Sequence, residues 1–304
     1  MEDILVFSHL RWNFVFQRPQ QIISRLAKNY RIIFIEEEFI SDESDGYTSS
    51  EVDNNVWIVQ PNLQKTEDAV KAGNAIARKR ALIDSIVNDF RVTDFISWYY
   101  SPMFFAFTRH LYPHTIIYDC MDELSAFLFA PSELINNEAE LLEAADIVFT
   151  GGISLYEAKK ELHSTVYCMP SSIDKAHFSR ARNKFTEPAD QAGIGYPRFG
   201  FFGVVDERFD IVLMREVAER KPGWQFVIIG PIVKIDEKDL PQLPNIHYLG
   251  IKSYKELPSY ISNWQVAFLP FAMNPSTRFI SPTKTPEYLA AGKPAISTPV
   301  KDVV

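Results

Sequence analysis

Short, mainly apolar runs recur along this chain with amphipathic stretches between them, and this alternation narrows the fold more than any other feature. Residues 4–8, 31–35, 56–59, 95–98, 115–118 and 147–150 read as strands. Each has consecutive apolar residues rather than one at every second position, so both of its faces must be covered. The stretches 17–29, 66–90, 102–111 and 133–145 have helical character; in the first, Ile22, Ile23, Leu26 and Ala27 share one face. Residues 36–55 are acidic and polar and read as loop. Strands alternating with helices predict a parallel, doubly wound α/β sheet.

The pattern breaks over residues 170–196, which lack an apolar period and are rich in turn formers, as expected of a linker. It then resumes, with strands at 198–202, 226–230, 246–249, 266–269 and 295–298 and a helix at 208–219. The reading is therefore α/β, with two consecutive doubly wound domains, 1–178 and 179–304, that leave a cleft between them. A chain of 304 residues has the length for two such domains. Hydrophobic residues at 46% supply the cores, and charged residues at 23% do not favour disorder.

A formal net charge of −8 argues against broad nucleic-acid binding, which needs a basic face. Cys120 and Cys168 make no disulfide framework, and no Cys/His spacing of metal type occurs. The start lacks a basic n-region, so it does not read as a signal peptide, and no apolar run is long enough to span a membrane. The expected compartment is the cytoplasm, including the inner face of the membrane.

Ligands of doubly wound sheets bind at the carboxyl ends of strands. In that position the sequence places His9 and Arg11, then Asp119 and Asp122, then Gly203 to Arg208, then residues 271–284. The richest stretch is NPSTRFISPTKTPEYLAAGKPAISTPV, residues 274–300. Ser281, Thr283, Lys284 and Thr285 lie at the start of a predicted helix, 285–291, which Gly292 and Pro294 terminate. Hydroxyls, an ammonium and backbone N–H groups there suit a phosphate. Glu287, one turn on, is placed to accept from sugar hydroxyls. Lys284 and Glu287 are also spaced i,i+3, as an intrahelical ion pair would be.

The run SPTKTPEYLAAGKPAIST resembles the donor-binding segment of GT-B glycosyltransferases of the large retaining, nucleotide-sugar-dependent class (glycosyltransferase family 1/4-like). The stretches SHLRWNFVFQRPQQIISRLAK, IIYDCMDELSAF and ADIVFTGGISLYEAKKELHSTVYCMPSSIDKAHF carry the same resemblance, so that it spreads over nearly the whole chain. The resemblance implies two Rossmann-like domains, an acceptor-side domain first and a nucleotide-sugar domain second. It also implies transfer with retention, no cofactor, and no obligatory metal. In the usual pattern of the class an earlier Glu stands eight positions before the later one, near the donor sugar. Here position 279 is Phe, leaving Asn274, Ser276 or Arg278 to make that contact. Members of the class usually continue with more helix over the sheet, so a C-terminally truncated chain with an incomplete second domain is expected.

On this reading the donor side comprises Gly203, Arg208, Ser281, Thr283, Lys284, Thr285 and Glu287. Arg208 has a plainer alternative, a surface pair with Asp206, Glu207 or Asp210. Asp119, Asp122 and His9 are candidates for catalysis. Asp122 is equally a helix cap and His9 equally a structural residue. Arg11, Asn13, Gln17 and Arg18 are candidates for the acceptor, with Gln17 and Arg18 also placed to cap a helix. Gly151 and Gly152 read as a turn. Arg78, Lys79 and Arg80 read as a solvated face, or else as a weak peripheral membrane contact. Phe104, Phe105 and Phe107 read as core.

The expected reaction moves a hexose from a nucleotide-diphosphate donor to a glycan or lipid-linked acceptor in cell-surface polysaccharide synthesis. Two other classes fit the same residues. A sugar-nucleotide epimerase would convert its substrate without an acceptor, and a non-catalytic nucleotide-sugar-binding protein would bind a donor without transferring it.

Overall fold

Most of the apolar runs are strands in the computed structural model, which describes residues 1–65, 72–183 and 185–303. The chain divides into two compact units. One comprises Met1–Ser125 and Ala130–Pro170; the other comprises Ala126–Phe129 and everything from Ser171 onward. The division thus falls eight residues ahead of the expected 178/179 boundary, and four residues from the first half belong to the second unit.

The first unit contains β1 (Glu2–Ser8), α1 (Arg18–Leu26), β2 (Tyr30–Glu36), β3 (Phe39–Ser41), β4 (Gly46–Asp53) and β5 (Val56–Gln64). There follow α2 (Ala72–Asp89), β6 (Phe95–Tyr99), α3 (Phe105–Thr108), β7 (Thr115–Cys120), α4 (Glu133–Ala144), β8 (Ile147–Thr150), α5 (Ile153–Lys159) and β9 (Val166–Cys168). The expected helix 66–90 is seen from residue 72; its residues 66–71 lie outside the described residues. Among the described residues the sheet order is β3-β5-β2-β1-β6-β7-β8-β9, with β4 on β5. β1 lies between two parallel neighbours, β2 and β6. Its residues Ile4 to Phe7 are buried on both faces, which is why the run has no polar alternation.

The reading of 36–55 as loop is corrected: it contains β3 and β4. β4 pairs antiparallel with β5 and is mostly exposed, so hydrogen bonding without an apolar face makes the strand. Its polar, charged composition suits an edge strand. The expected helix 102–111 is a 3-10 turn followed by α3, and Phe104, Phe105 and Phe107 are buried in the core as expected.

The second unit contains α6 (Lys175–Ser179), α7 (Ala189–Ala192), β10 (Arg198–Phe202), α8 (Ile211–Arg220), β11 (Gln225–Ile229), β12 (Ile246–Tyr248), α9 (Leu257–Ile261), β13 (Val266–Leu269), α10 (Lys284–Ala290) and β14 (Ala295–Ser297). Its sheet is wholly parallel in the order β12-β11-β10-β13-β14. The chain winds from β10 through β11 to β12, then returns to β13 on the other side of β10. β10 and β13 therefore flank the switch point, where such sheets bind ligands.

The stretch read as a linker is also corrected. Phe178 is fully buried and stacks on Phe202 at 5.9 Å between ring centroids. Gln191 accepts from the indole N–H of Trp264 at 2.9 Å. Trp264 in turn lies against Gly200, where a Cβ would come within 1.9 Å of its ring. α8 begins at Ile211 rather than 208, because Asp210 caps it by accepting from the Leu213 N–H at 2.8 Å. No helix of the described residues is long and apolar enough to cross a membrane.

Candidate functional site

In the second unit, the loops after β10, β11 and β13 and the start of α10 form one cluster. Gly203 follows β10 with φ +151°, a backbone conformation that favours glycine, and its N–H donates to Ile229 O at 2.9 Å. A Cβ on Gly203 would lie 3.2 Å from Cε of Lys284, so the lysine stem is seated against this glycine. The Lys284 ammonium stands 5.7 Å from the centre of the Phe202 ring. Gly203 and Lys284, expected together from the sequence, are therefore neighbours.

α10 starts at Lys284, one residue before the expected position, with half-buried Ser281 and Thr283 leading into it. Tyr288 holds the helix on the sheet: its ring is buried and its hydroxyl accepts from the Phe202 N–H at 3.1 Å. At the other end, Arg182 donates to Ala290 O at 2.7 Å and Leu289 O at 3.0 Å, satisfying carbonyls that the helix leaves over. Glu287, next to Tyr288, is 9% exposed, and its Oε2 has no hydrogen-bond partner among the described residues. Burial pushes its carboxyl up from the ordinary range, while Lys284 pulls it down. The i,i+3 spacing thus couples the two charges but leaves the Glu287 oxygen unbonded. Thr285 Oγ1 is likewise buried without a partner.

Arg208 takes the plainer of its two expected arrangements. It grips Asp206 through Nε at 2.9 Å and Nη2 at 2.6 Å, and it lies 5.1 Å from the Phe127 ring centre. Asn274 donates to Glu207 O at 2.8 Å and accepts from Ser276 at 2.7 Å, so both residues brace their own loop. Arg278 is exposed and lies over the Phe279 ring. Sequence reasoning passed over Gly230, Lys234, Arg182 and Tyr288, and took Glu207 only as a possible partner of Arg208. Gly230 carried a usable signal, since it follows an apolar strand as Gly203 does. Its φ is +142°, and a Cβ there would meet Gly203 O at 1.8 Å.

In the first unit, the structure joins Arg18 and Asp119, which the sequence had assigned to different tasks. Arg18 Nε lies 3.0 Å from Asp119 Oδ1 and Nη2 lies 2.8 Å from it, and Arg18 Nη1 donates to Met169 O at 2.6 Å. Asp119 is fully buried at the end of β7. Burial raises its carboxyl pKa, and Arg18, Tyr100 and Trp98 oppose that rise. Arg11 donates to Glu36 at 3.2 Å and stacks 3.8 Å from the centre of Phe39. The Trp12 N–H and Gln60 also donate to Glu36, at 2.7 and 3.0 Å. Gln17 precedes α1, and its N–H donates to Gln20 at 3.1 Å. His9 is half-buried just past β1, Asn13 is exposed, and Asp122 is half-buried past β7. In the basic cluster Arg78 pairs with Asp45, and Lys79 with Glu38 at 2.5 Å. Among the described residues no three His, Cys, Asp or Glu side chains converge as metal ligands would.

No protein-family model matches the chain. It is 26% identical over 217 residues to a protein of Bacillus subtilis named as a candidate teichuronic acid biosynthesis glycosyltransferase, TuaH; the match covers 66% of this chain and 54% of that one. The chain thus spans about half the length of this relative. Among solved structures it is similar to the sucrose-phosphate synthase of Thermosynechococcus elongatus, with a TM-score of 0.70, 13% identity, and coverage of 99% of this chain and 82% of the other. It is also similar to a trehalose-6-phosphate protein of E. coli bound with UDP-2-fluoro glucose, at 0.65 and 13%, covering 97% and 84%. The catalytic domain of starch synthase IV of Arabidopsis thaliana, bound to ADP and acarbose, gives 0.63 and 10%, covering 97% and 82%. The shared property is the fold: parallel α/β units of the Rossmann-like, GT-B type.

Proposed function

We propose that this chain is a nucleotide-sugar-dependent glycosyltransferase that moves a hexose from a nucleoside-diphosphate donor to a glycan or lipid-linked acceptor in cell-surface polysaccharide synthesis. The observation that carries the reading is the seat of Lys284 against Gly203, with the buried, unbonded Glu287 oxygen one turn along the same helix. A cation at the carboxyl end of β10 and an acceptor-only carboxylate beside it match the two halves of a nucleoside diphosphate: the pyrophosphate and the ribose hydroxyls. The name of the Bacillus relative and the UDP-2-fluoro glucose and ADP bound in two structural neighbours support the same class.

In this reading the glycosidic bond breaks with positive character growing on the anomeric carbon and negative charge on the departing diphosphate. Lys284 offsets the negative charge, aided by N–H groups and hydroxyls of Ser281, Thr283 and Thr285, and by Arg208 on release from Asp206. Glu287 accepts from the ribose. Transfer proceeds with retention and without an obligatory metal. The first unit contributes His9 and Asp122 to the chemistry and Arg11, Asn13 and Gln17 to the acceptor. The Arg18–Asp119 pair fixes the frame that carries them. The reaction takes place in the cytoplasm, with a lipid-linked acceptor presented at the inner face of the membrane.

A thermal-shift screen against UDP, GDP, dTDP and their sugar esters tests the reading. A ligand at a hundred times its Kd adds about 2.7 kcal/mol to the folded state. Stabilisation by one nucleotide series, followed by transfer to a glycan acceptor, is expected. No shift with any member of the panel overturns the proposal.

A further inference from the structure

The unbonded oxygen of Glu287 is not alone in the second unit. Glu207, in the loop after β10, is held at the switch point by its backbone from both sides. Toward β13, Asn274 donates to its carbonyl at 2.8 Å, and the Ala272 N–H donates to Arg208 O at 2.8 Å. Toward β11, the Val205 N–H donates to Pro231 O at 2.9 Å, and the Val233 N–H donates to Val205 O at 3.0 Å. Position 207 therefore has little freedom to move away from the carboxyl ends of β10 and β13.

The side chain is 13% exposed. Its Oε1 accepts from the Leu128 N–H at 3.2 Å and has Lys234 Nζ at 3.8 Å. Its Oε2 is buried and has no hydrogen-bond partner among the described residues. Of the nearby cations, Arg208 is engaged by Asp206, Lys234 faces Oε1, and both lie against the Phe127 ring, at 5.1 and 5.0 Å from its centre. A carboxylate oxygen kept from water needs donors. A phosphate brings none at neutral pH and is repelled by the charge. A polyhydroxylated, uncharged group brings several.

We infer that Glu207 binds hydroxyl groups of the transferred sugar, through Oε2. The assignment rests on the nucleotide-sugar reading above and adds to it a residue that distinguishes the sugar ester from the bare nucleotide.

The test is calorimetric titration of the wild type and Glu207→Gln with UDP, GDP and ADP and with their glucose esters. Thermal melts confirm that the isosteric variant is folded. For the nucleotide series that binds, the ratio of the bare nucleotide's Kd to that of its sugar ester falls about tenfold in Glu207→Gln, while the Kd of the bare nucleotide stays near wild type. An unchanged ratio overturns the assignment. Equal weakening of both ligands also overturns it, because it marks a structural role. Binding of no nucleotide and no ester by the wild type overturns the nucleotide-sugar reading itself.

Discussion

Both units put carboxylates at and beyond the carboxyl ends of parallel strands, but in the second, beside the saturated Asp206, two of them keep an oxygen unbonded. In the first, Asp119 is saturated by Arg18, and Glu36 takes three donors from Arg11, Trp12 and Gln60. Lys159, buried on α5, lies between Glu123 at 2.9 Å and Glu138 at 2.8 Å, and Tyr118 donates to the same Glu138 at 2.7 Å. In the second unit, Glu207 and Glu287 each keep a buried oxygen with nothing to accept from. Leaving such a group unbonded costs about 1–3 kcal/mol. A folded chain retains that cost where something else offsets it, and a hydroxyl-bearing ligand can do so. On the proposed reading the saturated carboxylates are scaffold, and the unsaturated ones accept from a ligand.

Four experiments break or sharpen this contrast. The largest effect belongs to the scaffold. Asp119→Ala strands the Arg18 guanidinium in a buried site and lowers unfolding stability by about 3–5 kcal/mol, read by urea denaturation. Replacing both partners with apolar residues of similar volume restores much of that loss. A stable Asp119→Ala protein that has lost only activity would move Asp119 to the ligand side of the contrast.

Next comes Lys284→Ala, which lowers kcat roughly 10²-fold, or about 2.7 kcal/mol, with the melting temperature unchanged. Near-normal turnover removes the lysine from leaving-group stabilisation. Tyr288→Phe strips the acceptor from the buried Phe202 N–H and costs about 1–2 kcal/mol of stability. Because this hydroxyl seats α10, donor affinity weakens along with it. Stability lost without any change in donor affinity would separate the seating of α10 from binding.

The smallest effect is on pH dependence. Burial holds the Glu287 carboxyl above its ordinary pKa, so the folded state favours the proton. The stability this gives is complete below the ordinary glutamate pKa and is lost as pH rises through the raised value. As pH rises beyond the ordinary glutamate range the ligand-free wild type therefore loses stability that Glu287→Gln retains. Parallel curves for the two proteins, from urea unfolding across that range, show that the carboxylate is satisfied in solution.

The strands of the first unit were legible because burial on both faces writes an unbroken apolar run. β3 and β4 were not, since an exposed edge strand needs only hydrogen bonds and leaves no hydrophobic signature. The stretch 170–196 hid α6 and α7, of five and four residues, too short to show a helical period. Lys284 and Glu287 could be found from a helix start, a spacing and a following glycine. The Arg18–Asp119 pair could not, because it spans 101 residues and no local pattern records it. The orphan oxygens of Glu207 and Glu287 are invisible in any sequence, for they are defined by donors that the fold fails to supply.

The glycine contact beside β10 has a corollary for substitution. With Gly203 O where the first side-chain atom of residue 230 would otherwise go, position 230 is held to glycine whatever stands at 203, while the positive φ of Gly203 and the lysine stem resting on it restrict that position separately. A side chain introduced at either turn would thus have to be accompanied by a backbone shift, whatever it offered to a ligand.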